Sequence, residues 1–446
     1  MKINLPKEVK KAIALLEAKG FVAYVVGGCV RDSVMGKEPA DWDITTSAKP
    51  EQTAQSFKDY RTIETGIKHG TLTVLIDQMP LEITTFRIDG RYSDQRRPDS
   101  VSFTQDLKLD LSRRDFTVNA LAYSPRTGLV DEFDGLGDIK NKVIRCVGQP
   151  DARFQEDALR ILRALRFASV LDFEIEKSTA QSLFKNRALL DKISAERIQI
   201  ELIKLLAGPA VERVLLYFRQ VLFQIIPELS ASDGFDQQDT EKHIFTVYEH
   251  IAHAVSRVKN EPHLRMAMLL HDVGKPSTFK LDENGRGSFP DHAAAGAEIA
   301  LSVLKGLKFS KRFTSDVVKL VRYHDLKAFE EPHTLHRLLV RHGQAFMRDY
   351  LQIKRADLLS LSPQMAQKAK KIDELEVALN ELIASDPCLE LADLKLKGKD
   401  LLTLGLPPGV KVGQTLDFLF ELVIDGKLEN DKKALLEEAK KIIKAK

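Results

Sequence analysis

The sequence predicts an α+β protein: a head with a mixed sheet and helices at the amino terminus, followed by helices alone. Three runs rich in β-branched residues and bounded by glycine or proline lie before residue 90, namely FVAYVVGG, GTLTVLID and LEITTFRI. Such runs are typical of strands. The segment EVKKAIALLEAKG before them has helical periodicity and ends at a glycine, and from about residue 150 one helical pattern follows another, beginning with DARFQEDALRILRALRFASVL.

The length of 446 residues exceeds what one hydrophobic core serves, so several domains are expected. The polar stretch ELSASDGFDQQDTEK predicts a linker, and SPQMAQKAKK marks a second break. We therefore expect four parts, which are a mixed head over 1–145, an all-α neck over 146–230, a histidine-rich helical body over 240–362 and a helical tail over 363–446.

Composition excludes several classes of protein. The chain has 67 basic and 64 acidic residues, a net charge of +3, so composition alone does not indicate nucleic-acid binding. Cys29, Cys146 and Cys388 form no CxxC pair, which argues against a disulfide framework or a zinc finger. No apolar run reaches the roughly 18 residues of a membrane span, and MKINLPKEVKK does not resemble a signal peptide. We expect a cytoplasmic protein without membrane contact.

The stretch VVGGCVRDSVMGKEPADWDITT, residues 25–46, combines a glycine turn with closely spaced acids. Asp41 and Asp43 alternate with Trp42, so on a strand both carboxylates project from one face. Two carboxylates on one face suit a hard cation such as Mg²⁺. Backbone amides at Gly28 can approach phosphate oxygens, and Arg31 can add a charge-assisted contact. This combination predicts a site for phosphoryl or nucleotidyl transfer.

Two later segments add candidate residues to this site. Glu82 in LEITTFR is a possible third carboxylate, and Arg114 in LSRRDFTVNALAY is suited to a triphosphate contact. Asp115 and Asn119 of the same segment are one helical turn apart, which predicts that they hydrogen-bond a ribose together. A lone pair of acids or a lone glycine pair would indicate only a solvated turn, and the ordered set is what favours a catalytic site.

The ordered motifs GGCVRD, DWD, RRDFTVNALA, DEFDGLGDIKNKVIR, EDALRILRALRF and ISAERI resemble those of the bacterial class II tRNA nucleotidyltransferases, the CCA-adding enzymes, over roughly residues 20–206. These enzymes belong to the polymerase-β superfamily, and bacterial poly(A) polymerases are relatives. The resemblance implies a polymerase-β-like head, Mg²⁺, and template-independent addition of CCA to the 3′ end of tRNA from CTP and ATP, in maturation and repair. It also implies contact with the tRNA acceptor end and a tail that binds tRNA; no obligatory protein partner is evident.

The segment EDALRILRALR offers a physical means of choosing a base. Asp157 and Arg160 are three residues apart, hence neighbours on a helix. A carboxylate only accepts hydrogen bonds and a guanidinium only donates them, which matches the amino group and ring nitrogen of cytosine or adenine but not uracil or guanine. The resemblance makes Glu156, Asp157 and Arg160 the protein template. Arg163 and Arg166 continue the basic stripe toward phosphate or base.

Two readings of the product stay open. The polar loop IDGRYSDQRRPDS, which CC-adding members of the family have shortened, favours a complete CCA-adding enzyme. A bacterial poly(A) polymerase would share every catalytic motif and choose only ATP.

The segment 243–360 resembles the HD phosphohydrolase superfamily through HIFTVYEH, AMLLHDVGK, PDHAAAG, VRYHDLK and KRADLL. The resemblance implies a divalent transition metal (Ni, Mn, Co or Fe) on His243, His271, Asp272 and Asp357. His292 and His324 are expected to bind a second metal or phosphate. Surface or packing positions are expected for His250, His253, His263, His333, His336 and His342. A metal-dependent phosphohydrolase or 2′,3′-cyclic phosphodiesterase whose amino-terminal half merely binds nucleotide is therefore an alternative function.

Overall fold

The computed structural model describes residues 1–90, 100–238, 241–283, 285–326, 333–385 and 387–444. Its contacts divide the chain into two compact units, Met1–Pro227 and Glu228–Lys446. The expected division into head, neck, body and tail is finer than this and stays a prediction. Most of the polar loop IDGRYSDQRRPDS, residues 91–99, lies outside the described residues.

The first unit contains one large mixed sheet. The strands of this unit are β1 (Ala23–Val26), β2 (Asp43–Thr46), β3 (Arg61–Ile63), β4 (Thr71–Ile76), β5 (Met79–Thr85), β6 (Arg87–Asp89), β7 (Val101–Phe103), β8 (Leu121–Ser124), β9 (Gly128–Asp131), β10 (Val143–Ile144) and β11 (Glu174–Ile175). Seven of them form a sheet in the order β3-β4-β5-β2-β1-β8-β9. Within it β2 and β5 are parallel, with Asp43 opposite Glu82, and the other pairs are antiparallel. The predicted mixed sheet is confirmed.

Alternating burial explains why the strands form this sheet. In β4 the residues Leu72, Val74 and Ile76 are buried while the residues between them are half-buried. Strands with one such face need a covering layer. The first helix supplies part of it, because Val9, Ala12, Ile13 and Leu16 recur at helical spacing and join the same core cluster.

The helices of the first unit are α1 (Lys7–Glu17), α2 (Gly28–Val34), α3 (Pro50–Ser56), α4 (Leu107–Ser112), α5 (Gly135–Asn141), α6 (Pro150–Glu156), α7 (Leu159–Leu171), α8 (Lys177–Asn186), α9 (Ala195–Leu206), α10 (Val211–Tyr217) and α11 (Arg219–Ile225). The expectation of one continuous helix over 151–171 is wrong. Asp157 is extended, with φ −141° and ψ 102°, and separates α6 from α7. Its carboxylate accepts a hydrogen bond from the Leu159 amide at 3.1 Å. An aspartate that satisfies an amide at a helix start competes with continuation of the preceding helix.

The second unit is helical. Its helices are α12 (Val247–Arg257), α13 (Pro262–Leu270), α14 (Lys275–Thr278), α15 (His292–Gly306), α16 (Lys311–Tyr323), α17 (His333–His342), α18 (Gln344–Leu359), α19 (Pro363–Ala366), α20 (Ala369–Ala384), α21 (Gly398–Thr403), α22 (Val410–Ile424) and α23 (Lys432–Lys444), with one hairpin of β12 (Lys280–Leu281) and β13 (Gly287–Ser288). Every residue of α13 from Leu264 to Leu270 is buried. Helix α13 is therefore central, with α12, α16 and α18 around it. Among the described residues, no helix is both long and apolar enough to cross a bilayer.

Candidate active site

Two of the three acids predicted to act together lie on neighbouring strands of the sheet, and the third lies just before one of these strands. Asp43 is the first residue of β2, and Glu82 is its partner in the parallel strand β5. Paired residues of adjacent strands project from the same face, with the strands about 4.8 Å apart. Asp41 precedes Asp43 by two residues and is exposed, whereas Trp42 between them is buried in the core. The alternation predicted for this stretch thus turns the acids to one face.

The electrostatics of Asp43 reflect this crowding. Burial raises its pKa to about 6, with further increases from the negative charges of Asp41 and Glu82, and the positive charge of Arg114 opposes them. A divalent cation would relieve this repulsion, and the donor set, carboxylate oxygen only, fits Mg²⁺. Over the part of the chain that the structure describes, two groups of at least three histidine or acidic side chains have ligand atoms within 4.8 Å of one another. Both groups lie in the second unit. Ligand oxygens of Asp41, Asp43 and Glu82 are therefore not all within 4.8 Å of one another.

Gly27 and Arg114 approach each other closely beside these acids. Gly27, at the start of α2, has φ +85°, and a Cβ built there would lie 2.9 Å from Nη1 of Arg114. The predicted Gly28 has more space, with Nη2 of Arg31 at 3.7 Å from its ideal Cβ. The sequence analysis singled out the glycine pair and named Gly28, whereas Gly27, directly after a β-branched strand, is the glycine with positive φ.

Arg114 carries a donor for which the described residues provide no acceptor. Its Nε is buried and has no hydrogen-bond partner within the described ranges. Burial lowers the pKa of Arg114, the charge of Arg113 lowers it further, and Asp110, Asp43 and Asp115 act in the opposite direction. A buried guanidinium with an unmatched donor is suited to an anionic ligand.

Asp115 and Asn119, the predicted ribose pair, belong to a buried chain of hydrogen bonds. Nδ2 of Asn119 donates to Asp115 at 3.1 Å, and Nη1 of Arg31 donates to Oδ1 of Asn119 at 2.6 Å. Nε of Arg163 donates to the other oxygen of Asp115 at 2.8 Å. Burial opposes ionisation of Asp115, but Arg163 and the Asn119 hydrogen bond outweigh it and hold its pKa far below the ordinary value. The structure thus gives these two residues a positioning role, and ribose contact stays a prediction.

Phe167 gathers three of the predicted nucleotide-binding arginines. The guanidinium carbons of Arg31, Arg163 and Arg166 lie 5.2, 5.4 and 4.1 Å from the centroid of its ring. Arg166 is held in addition by Glu201, with 3.2 Å between Nε and Oε2. Sequence reasoning missed Phe167, whose only signal is an aromatic residue directly after a basic stripe.

The predicted base-selecting residues lie on either side of the break between α6 and α7, not on one helix. Asp157 accepts a hydrogen bond from Nη2 of Arg197 at 2.8 Å. Nη1 of Arg160 donates to Glu156 at 2.7 Å, and Nη2 donates to the Arg113 carbonyl at 3.0 Å. Each side chain is therefore oriented by other residues. Arg197, in the motif ISAERI, is a contact that sequence reasoning did not find.

The second unit contains a cluster of histidines around Asp272. Nε2 of His250 lies 3.1 Å from Nε2 of His271, 3.1 Å from Asp357 and 3.4 Å from Oδ2 of Asp272. On the other side of the carboxylate, Nε2 atoms of His292 and His324 are 3.2 Å apart and lie 3.6 and 3.5 Å from Oδ1. The two oxygens of Asp272 thus face two separate groups of ligand atoms, and a metal could bind in each.

The other ring nitrogens of these histidines explain why a cation fits. Each Nδ1 lies within 3.1 Å of a backbone carbonyl, those of Ser360, Met268, Phe289 and Val321. A carbonyl only accepts, so each Nδ1 carries the proton and each Nε2 presents a lone pair. Four lone pairs and two carboxylates then converge without protons between them, an arrangement typical of metal ligands with a fixed tautomer.

The structure differs from the sequence prediction at one ligand position. His250, expected to serve packing, is in the cluster, whereas His243 lies before α12 with its ring 6.4 Å from that of His250, centroid to centroid, and in neither group of ligand atoms. The physical reason is the helix face, because His250 shares the buried face of α12 with Val247, Ile251 and Val255. The other predicted residues, His271, Asp272, Asp357, His292 and His324, come together.

Three family models match the chain. A model described as "Poly A polymerase head domain" matches residues 23–145, one described as "Probable RNA and SrmB- binding site of polymerase A" matches 172–232, and one described as "tRNA nucleotidyltransferase domain 2 putative" matches 292–439. Together they cover parts of both units.

Full-length relatives decide the family. A CCA-adding enzyme of Limosilactobacillus fermentum is 36% identical over 451 residues, which span 100% of both chains. The chain belongs to the CCA-adding enzymes. A second member, from Enterococcus faecalis, is 36% identical over 98% of this chain and 97% of its own. The crystal structure of the Bacillus stearothermophilus CCA-adding enzyme in complex with CTP is 27% identical, covers 98% of each chain and has a TM-score of 0.67.

Proposed function

We propose that the protein adds CCA to the 3′ end of tRNA from CTP and ATP without a nucleic-acid template, with the reacting groups and the base-selecting groups both in the first unit. The activity is supported by full-length similarity to CCA-adding enzymes at 36% identity. The in-register pair of Asp43 and Glu82 beside Asp41 carries the assignment of the site.

Asp41 and Asp43 are the residues that would hold Mg²⁺, with Glu82 assisting from the next strand. Bound there, the metal supplies activation of the attacking 3′ oxygen and neutralisation of the leaving group. The protein groups hold and orient the substrate: Arg114, with its unmatched Nε, and Arg31, tied to Asn119, bind the triphosphate beside Gly28. Positioning before reaction is worth several kcal/mol in such transfers.

Asp157 and Arg160 choose the base. An Asp–Arg pair presents an acceptor beside a donor, which matches N4–H and N3 of cytosine or N6–H and N1 of adenine. Uracil and guanine would leave buried polar groups unmatched, which costs about 1–3 kcal/mol per group. The contacts of Glu156 and Arg197 support this role by fixing both side chains.

Asp115, Asn119 and Arg163 connect the two halves of the site, and Arg166 packs with Arg163 against the ring of Phe167. The hydrogen bonds run from Arg31 through Asn119 and Asp115 to Arg163 on α7, the helix that also carries Arg160. We assign these residues to positioning of the triphosphate arginines relative to the template helix.

A tRNA that lacks its CCA end tests the proposal. Incubation with CTP and ATP, followed by sequencing of the product, should show addition of C, C and A and then a stop. Asp43→Ala should abolish extension while tRNA affinity stays within about twofold, and Asp59→Ala, an exposed acid of the same unit, should extend normally. Addition of adenosine alone would indicate a poly(A) polymerase instead, and extension by Asp43→Ala would refute the metal assignment.

A second activity is favoured by the histidine cluster. Its convergent Nε2 lone pairs fit a divalent transition metal such as Ni, Mn, Co or Fe, bound by His250, His271, Asp272 and Asp357. His292 and His324 would hold a second ion across Asp272. Burial lowers the pKa of His292, which favours its neutral, ligating form. Such a centre would supply an activated water for hydrolysis of a phosphate ester, a 2′,3′-cyclic phosphate among them.

Metal analysis of the apo protein reloaded with Ni²⁺ or Mn²⁺ tests this assignment. Asp272→Asn should remove both ions because its oxygens face both groups, and His324→Ala should remove only the second. His263→Gln, which breaks a 2.9 Å contact to Asp349 outside the cluster, should leave the stoichiometry unchanged. Equal metal content in wild type and Asp272→Asn would contradict the site, whatever the protein does with tRNA.

A further inference from the structure

The end of α15, the turn after it and helix α16 form a strongly basic segment, although the whole chain is nearly neutral. Residues 305–322, KGLKFSKRFTSDVVKLVR, contain six basic residues and one acid, whereas the net charge of the 446 residues is +3. Phe309, Phe313 and Tyr323 lie in or directly after this segment. Cations interleaved with aromatic side chains are characteristic of surfaces that bind nucleic acid.

The basic segment borders a cavity of about 580 Å³, which we call the α15–α16 pocket. Its lining combines apolar side chains, hydroxyls and four cations with no carboxylate, and comprises Leu301, Lys305, Phe309, Lys311, Thr314, Ser315, Val318, Lys319, Arg322 and Tyr323. The volume is in the range of sites for small organic groups, large enough for a nucleobase and its sugar.

The cations of the pocket fall into two classes. Lys319 is fixed by the His342 carbonyl at 3.0 Å and by the ring of Phe346 at 4.5 Å, and Arg322 contacts Glu298. Lys305 and Lys311 are exposed, and the described residues provide no ion pair for either. Two lysines therefore present uncompensated charge at the mouth of an aromatic cavity.

We propose that the α15–α16 pocket is an RNA-binding site that holds one nucleotide of the tRNA substrate. Lys305 and Lys311 contact backbone phosphates, and a base enters the cavity against Phe309, whose ring is already stacked on Phe313 with centroids 4.6 Å apart. The choice of RNA over an acidic peptide rests on the aromatic faces, since a peptide carboxylate gains nothing from stacking. This inference rests on the proposed function in taking tRNA as the substrate.

Charge reversal tests the phosphate contacts. The double variant Lys305→Glu/Lys311→Glu should raise the Kd for tRNA lacking CCA by about tenfold at 50 mM salt and flatten the slope of log Kd against log salt by about 2, since each lost phosphate contact removes roughly 0.9. The control is Lys259→Glu/Lys280→Glu, two exposed lysines of the same unit that lie outside both the pocket and the tail over 363–446. It should change affinity by no more than about twofold.

Kinetics separate this inference from the proposed function. At saturating tRNA the Lys305→Glu/Lys311→Glu enzyme should keep the wild-type KM for CTP and add CCA at the wild-type rate. The RNA site is refuted if this variant binds tRNA as tightly as the wild type, or if the control loses affinity equally. The proposed function still stands in that case, provided that the wild type extends tRNA. If the wild type extends no tRNA, the proposed function fails by itself.

A ring substitution tests the stacking. Phe309→Leu should weaken tRNA binding about tenfold because it keeps the apolar volume and removes the aromatic face, and Phe309→Tyr should bind like the wild type. Ultraviolet cross-linking of wild-type protein to tRNA should yield a nucleotide-bearing peptide that contains Phe309 or Tyr323. Cross-links confined to other peptides, together with wild-type affinity of Phe309→Leu, would overturn the proposal. It would also be overturned if Lys305→Glu/Lys311→Glu lost binding of an acidic peptide probe but kept its affinity for RNA.

Discussion

Asp43→Asn should stabilise the metal-free protein while it abolishes nucleotide transfer. Burial and the neighbouring acids raise the pKa of Asp43 from 3.8 to about 6. An acid whose pKa is higher in the folded state than in the unfolded state costs stability once it ionises. The cost is absent below pH 3.8, grows as the pH rises toward 6 and is constant above that.

The expected magnitude follows from the pKa difference. A shift of about 2 units corresponds to about 3 kcal/mol at pH 8 and to about 1 kcal/mol at pH 4.5, as upper values for a residue that keeps some solvent exposure. In a unit of 227 residues, 3 kcal/mol corresponds to a rise of roughly 6–12 °C in the melting midpoint. Asparagine keeps the shape of the side chain and removes only the charge.

Thermal unfolding in EDTA at the two pH values measures the effect. Asp43→Asn should gain stability at pH 8 and clearly less at pH 4.5, and Asp59→Asn, an exposed acid in the same unit, should gain none at either. Saturating Mg²⁺ should then stabilise the wild type but not Asp43→Asn. An equal gain at both pH values, or no gain at pH 8, would refute the electrostatic reasoning.

Three further substitutions separate the roles of the site residues. Arg160→Ala should raise incorporation of UTP relative to CTP by about 5- to 150-fold, since one unmatched polar group costs about 1–3 kcal/mol. Arg126→Ala, exposed in the same unit, should leave the ratio unchanged, and product sequencing with mixed nucleotides decides. Gly27→Ala should raise the KM for CTP at least tenfold by displacing Arg114. Gly20→Ala, at a glycine with the same φ of +85° and nothing within 4 Å of its ideal Cβ, should lower stability only, and equal KM changes in the two variants would contradict this account. Phe167→Leu should raise KM for both nucleotides with little change in base choice, because it removes three cation–π contacts of about 0.5–1 kcal/mol each, and an unchanged KM would exclude the positioning role.

Local sequence patterns and ordered motifs predicted most of the fold and the family. Both the mixed sheet and the CCA-adding function are confirmed. Those patterns could not predict that Asp43 and Glu82 are register partners on adjacent strands. Strand register depends on contacts between residues far apart in sequence. The sequence also did not predict the break at Asp157, because the apolar periodicity continues through it. The hydrogen bond from the Leu159 amide to the Asp157 carboxylate leaves no sign in that periodicity.

The histidine cluster shows a similar limit. The resemblance to the HD phosphohydrolases predicted that His271, Asp272, Asp357, His292 and His324 lie together. The choice between His243 and His250 depends on which side of α12 is buried. Phe167 was missed for a related reason, because an aromatic residue in an apolar helix gives no sign that three arginines from two helices meet over its ring.

A crystal structure of this protein with bound CTP tests the central claim most directly, namely that a carboxylate and a guanidinium inspect the base. Asp157 should accept a hydrogen bond from N4 of the cytosine and Arg160 should donate one to N3, each at about 2.7–3.2 Å between heavy atoms. A cytosine edge that meets other side chains or water, with Asp157 and Arg160 retaining only their contacts to Arg197 and Glu156, would contradict the account.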